Sequence, residues 1–168
     1  MIERPTAKLE FRRATNADCA TAQAIVREAL AEHGLGLLLD TSDKDLLDLE
    51  AHYDARGGAF ELIYAASNDE PVGVLGWRPG ENRTVELKKV YLRRSARGLG
   101  VGKLAVQRVI DHARALGLDA VVLETAHVMT DAIRLYTRLG FRPVTGDDAA
   151  TFANLGEDCE QAFRLALR

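Results

Sequence analysis

Arg97, Gly98, Gly100, Gly102 and Lys103 bring two cations and three glycines together directly ahead of the amphipathic run Lys103–Leu116. Glycine reaches positive φ and lets a backbone come close to a bulky ligand. A helix N-terminus behind such a turn presents free N–H groups and the positive end of its dipole, which together make an anion site. Charge-assisted hydrogen bonds run at roughly 1.5–3 kcal/mol each, so several on one phosphate make a strong anchor. The chemistry expected here is capture of an extended molecule ending in phosphates. Two familiar phosphate loops do not fit. A P-loop has glycine five residues before Gly102 and Ser or Thr after the lysine, where this chain has Arg97 and Leu104. A dinucleotide fingerprint reads G-x-G-x-x-G, whereas Gly98, Gly100 and Gly102 alternate.

The element that must carry this loop is the strand before it. Val85 and Leu87 share one face, but Val90 and Leu92 are displaced from Leu87 by an odd step. A period-2 strand does that only with an extra residue, which predicts a β-bulge near Lys88–Lys89. A bulge bends the strand and leaves backbone N–H and C=O groups unpaired, available to an extended ligand.

The spacing Arg97-x-x-Gly100-x-Gly102 resembles the R/Q-x-x-G-x-G/A loop of the GNAT superfamily, the acyl-CoA-dependent N-acyltransferases. A second stretch, Thr130–Phe141, has Ala132, Leu135, Tyr136, Gly140 and Phe141 at the spacing of the family's A-x-x-L-Y-x-x-x-G-F signature. Together with the order of strands, the resemblance spans roughly residues 8–168. It implies that acetyl-CoA is the cosubstrate. Backbone groups of Val90, Tyr91 and Leu92 would pair with the pantetheine arm, and Arg97, Gly98, Leu99, Gly100, Val101, Gly102 and Lys103 would hold the pyrophosphate. Ala132 and Leu135 would add contacts on the other side. Tyr136 would donate a proton to the departing thiolate, a role open to a phenol with an ordinary pKa near 10; the other reading of Tyr136 is a core tyrosine. Many members carry Asn where this chain has Met129, so no side-chain hydrogen bond to the arm is expected there. Glu86 lies eleven positions before Arg97, the offset of a catalytic glutamate in histone-type members. It is the candidate base, and an equal alternative is a structural glutamate near Lys88 or Arg83. An ordinary glutamate near pKa 4.3 would need burial, or a water relay, to take a proton from an ammonium. No metal or covalent intermediate is required.

Bulk properties fit an enzyme of this kind. The chain has 168 residues, 47% of them apolar and 28% charged, with a net charge of −3. That suits one globular domain over residues 1–168 and argues against a nucleic-acid partner. Cys19 and Cys159 lack metal or redox spacing, and His33, His52, His112 and His127 lack ligand spacing, so reduced thiols in a cytoplasmic protein without zinc are expected. No signal peptide and no membrane-length apolar run is read.

The elements follow from periodicity. Leu9 and Phe11 alternate in a first strand, and Thr15 with Asp18 caps a helix carrying Ala22, Ile25, Val26, Ala29 and Leu30. Ser42 with Asp45 opens a second helix to about Arg56. Strands follow at Phe60–Ala66 and Val72–Trp77, then the strand already described. After the third helix come a nearly all-apolar strand from Ala120, a fourth helix capped by Thr130, and strands at Phe141–Val144 and from Ala162. The fold expected is α+β: a mixed, mostly antiparallel twisted sheet of about seven strands with about four helices on both faces, strands four and five parallel and splayed.

The acceptor is the part least legible. Asp43, Asp45, Asp48, Glu50 and Asp54 on the second helix read first as a solvated surface, and otherwise as an acidic approach for a cationic amine. A polar, acidic loop, Thr145–Glu160, could be a lid over an amine acceptor. A small-molecule or peptide amine is the expected partner, and a homodimer is compatible with the family. A coenzyme A-binding sensor without catalysis is the alternative function.

Overall fold

The computed structural model describes residues 8–66, 69–145 and 161–168. Seven strands form one sheet in the order β1-β2-β3-β4-β5-β7-β6. β1 (Leu9–Arg13), β2 (Ala59–Ala65), β3 (Gly73–Pro79) and β4 (Thr84–Leu92) are successively antiparallel. β5 (Ala120–Thr125) runs parallel to β4, and β7 (Gln161–Ala166) slips between β5 and β6 (Arg142–Pro143). The single parallel step is the one bridged by a helix, as a parallel crossover needs.

Helices cover both faces of the sheet, and each face carries its own apolar cluster. On one face Val85 and Leu87 pack with Val101, Ala105, Val106, Val109 and Ile110 of α3 (Val101–Ala115), and with Tyr136 of α4 (Thr130–Arg138). On the other, Ala22, Ile25, Val26 and Leu30 of α1 (Cys19–Ala31) pack with Tyr53, Phe60, Leu62 and Val74. Ala120–Leu123 is buried throughout, as a strand covered on both sides must be.

The bulge is where the alternation breaks. Gly76 pairs with Lys89 and Trp77 with Leu87, so Lys88 is the extra residue. β4 pairs with β5 only from Thr84–Leu87 to Ala120–Leu123. Beyond Leu87 the bent β4 leaves its neighbour, and the sheet opens into a wedge.

Three expectations need correction. The second helix is broken into 3-10 turns at Lys44–Leu47 and Asp54–Arg56, flanking the one-turn α2 (Leu49–His52). Asp48, at φ −151° and ψ 85°, interrupts it, and its side chain then accepts the Ala51 N–H to restart the chain as a cap. The acidic surface is also not uniformly solvated. Asp43 and Asp45 are buried against Lys89, whose Nζ lies 2.5 Å from Asp43 and 3.5 Å from Asp45. Tyr53 donates to Asp45, and the Leu38 N–H to Asp43 at 2.9 Å. A side chain with an aliphatic stem and one charge, placed at a bulge, draws two carboxylates inward that the helical pattern had turned to water. Finally, Thr130 is the first residue of α4 rather than its cap; Met129 takes that position and makes no side-chain hydrogen bond. The acidic loop read over Thr145–Glu160 lies, beyond Thr145, outside the described residues.

Candidate active site

The wedge holds a cavity of about 690 Å³. Its walls come from five segments that the fold brings together. β4 contributes Val90, Tyr91 and Leu92; the following loop contributes Ala96, Arg97, Gly98 and Gly100. Val101, Gly102 and Lys103 open α3 at its base. Met129, Ala132, Leu135 and Tyr136 face it from α4, and Ala29 and His33 close it from the end of α1.

The loop is built as an anion cradle. Gly98 and Gly100 stand at φ +71° and +80°, conformations that admit glycine without strain. Helix α3 begins at Val101, earlier than the periodicity suggested, so Gly102 sits within its first turn. Its first helical bond runs from the Leu104 N–H to the Gly100 carbonyl at 3.1 Å, and no side chain caps it. The N–H groups of Val101, Gly102 and Lys103 therefore precede the ladder and carry the positive end of the dipole. At Gly102 a Cβ would stand 3.2 Å from Leu135 and 3.6 Å from Leu92, so the backbone meets both walls of the cavity there. Arg97, Lys103, Arg134 and Arg138 ring the cavity with positive charge, offset by Asp131, which lies 3.6 Å from Arg134. Narrow walls, a glycine turn and a cationic rim fit a long ligand with phosphates at one end.

Arg97 is already engaged. Its Nε and Nη2 donate to the Leu92 carbonyl at 3.3 and 3.0 Å, and Nη1 donates to the Glu32 carboxylate. Tyr136 is buried, with its ring 5.7 Å from that of Phe141. Burial, and then the neighbouring Tyr91, push its phenol well above the ordinary value, so it keeps its proton at neutral pH.

Two of the residues read from sequence stand apart from the cavity wall. Leu99 is 52% exposed and turns outward from the loop. Glu86 is held by Arg78 at 3.1 Å and Lys88 at 3.4 Å, on the β4 face away from Val85 and Leu87. Conversely, sequence reasoning missed Ala29, Glu32 and His33, which reach the loop from some sixty-five residues away. Arg134 and Arg138 were available as an i, i+4 pair on the polar side of α4, but nothing local says which way that side faces.

Comparisons with known proteins agree with this geometry. Residues 23–141 match the family described as "Acetyltransferase (GNAT) family". The N-acetyltransferase YjgM of Escherichia coli is 30% identical over 155 residues, covering 89% of this chain and 90% of that protein. A Staphylococcus aureus acetyltransferase of the GNAT family superposes with a TM-score of 0.85 at 21% identity, over 96% of this chain and all of that one. The PaiA N-acetyltransferase of Thermoplasma acidophilum, solved in complex with coenzyme A, gives 0.70 at 16% identity, over 95% of this chain and 99% of that one. No helix among the described residues is long and apolar enough to cross a membrane. With its splayed parallel pair, its bulged strand and its glycine loop ahead of a helix, this chain belongs to the GNAT acetyltransferase family.

Proposed function

We propose that the protein transfers an acetyl group from acetyl-CoA to a primary amine by direct attack. The observation that carries this reading is the cavity itself: one wedge lined both by the glycine loop with Arg97 and Lys103 and by the buried Tyr136. Val90, Tyr91 and Leu92 would pair with the pantetheine arm along the bent end of β4, and Met129, Ala132 and Leu135 would close over it. The bound thioester supplies an activated acetyl carbon. As the amine nitrogen bonds to that carbon and the C–S bond breaks, Tyr136 hydrogen-bonds the departing sulfur and passes it a proton. The proton lost by the amine leaves to water, and a proton returns from water to the Tyr136 oxygen, so the phenol is restored for the next turnover. The acceptor is a primary amine with no charge assigned to it. The carboxylates that suggested a cation are largely engaged: Asp43 and Asp45 by Lys89, Asp54 by Arg13, and Asp48 in a cap.

Tyr136→Phe is expected to lower turnover by about 10²-fold while the KM for acetyl-CoA stays within about twofold, the pattern of a lost proton donor. Thiol release from acetyl-CoA over a panel of amines is the assay. Undiminished turnover in the variant removes Tyr136 from the mechanism, and absence of thiol release with every amine favours a binding role without catalysis.

The two ion pairs on Glu86 support its structural reading over a direct base, because Arg78 and Lys88 already engage the carboxylate and it does not line the cavity. Glu86→Gln should therefore cost under about tenfold in turnover; a loss of about 10³-fold would restore it as the base.

A further inference from the structure

Arg97, the central cation of the loop, already has a carboxylate on it. Glu32 ends α1 and accepts from Arg97 Nη1, while its other oxygen lies 3.8 Å from Arg94 Nε. The next residue, His33, lines the cavity. The Arg97 hydrogen bond is the main cause holding the Glu32 carboxyl below the usual carboxylate range, so it is ionised at neutral pH. The pair is not needed to seat either partner. Arg97 is fixed by two bonds to the Leu92 carbonyl, and α1 is held by its buried face of Ala22, Ile25, Val26 and Leu30. Both side chains are partly open to water, at 32% and 25% exposure, so the contact can separate without uncovering a buried charge. Of the five guanidinium N–H donors, two go to the Leu92 carbonyl and one to Glu32, so a phosphate arriving at the remaining edge meets a guanidinium whose charge Glu32 already offsets.

We propose that Glu32 is a resident counter-ion that sets how tightly the loop holds coenzyme A. It occupies Arg97 in the free protein and gives way when the diphosphate arrives. This rests on the assignment of Arg97–Lys103 as the coenzyme's phosphate site. The thiol product carries the same phosphates as the thioester, so Glu32 loosens product as much as substrate and shortens the product's stay.

Calorimetric titration with coenzyme A of the wild type, Glu32→Gln, Arg97→Ala and the double variant tests this, with thermal melts to verify folding. Glu32→Gln is expected to bind coenzyme A about three- to tenfold more tightly. Arg97→Ala is expected to bind more weakly, and in that background the gain from Glu32→Gln should shrink to under about twofold, since the carboxylate acts through the guanidinium. Unchanged or weaker binding by Glu32→Gln, alongside a weakened Arg97→Ala, overturns the proposal and makes Glu32 a group that orients Arg97. A gain that persists in full without Arg97 overturns it as well. Coenzyme A binding indifferent to Arg97→Ala sinks the phosphate-site assignment beneath it.

Discussion

Gly100→Glu is expected to weaken coenzyme A binding by about 10³-fold or more in a calorimetric titration, with the fold intact. Gly100 stands at φ +80° as the residue before α3, and a Cβ there would meet open space. The substitution therefore costs backbone strain of about 1–2 kcal/mol without a steric clash inside the protein. Its carboxylate, however, would enter the zone where the N–H groups of Val101, Gly102 and Lys103 face the cavity. Two like charges about 4 Å apart at an effective dielectric near 20 repel by about 4 kcal/mol, which is about three orders of magnitude in affinity. Gly100→Ala carries the same strain without the charge and should lose less than about tenfold. If a folded Gly100→Glu protein retains wild-type affinity, the coenzyme's phosphates are not held by this loop.

The second large effect is on stability. Lys89→Met is expected to lower the unfolding free energy by about 3–5 kcal/mol in urea denaturation, because it leaves two buried carboxylates without a cation. The Lys89 side chain is 7% exposed, and those of Asp43 and Asp45 are 9% and 6%. The surroundings are ill-equipped to compensate, since Asp45 Oδ1 already has no hydrogen-bond partner among the described residues. Methionine nearly matches lysine in volume, so the loss reports charge rather than a cavity. Adding Asp43→Asn and Asp45→Asn to Lys89→Met should recover part of the deficit, a non-additivity expected only of groups that share one network. A loss under about 1 kcal/mol in the single variant would mean that water reaches the cluster. The network also has a structural consequence for the site. It ties the segment after α1, through Asp43 and the Leu38 N–H, to the residue just past the bulge, next to Val90 at the cavity wall.

The readings that held are those whose cause is local. The bulge at Lys88 was legible because a phase slip between Leu87 and Val90 has no other solution in a pleated strand. The loop was legible because glycines that stand at positive φ, followed by a helix start, are contiguous in the chain. The second helix failed for an equally physical reason. Asp43, Asp45 and Asp48 have side chains that compete with the helix for backbone and distant partners, and here they found them in the Leu38 N–H, Lys89 and the Ala51 N–H.

By itself, then, the sequence determined the character of each segment: a glycine turn with cations ahead of a helix, a strand bent by a bulge, and a helix carrying Tyr136. Periods of 2 and 3.6 and the conformational range of glycine belong to a few consecutive residues, so neighbours in the chain suffice to reveal them. Only the tertiary structure decided that Glu32 would sit on Arg97 and that Lys89 would draw in two aspartates. Whether a charge is solvated or buried, and which opposite charge it meets, depends on segments some tens of residues away that share no pattern with it.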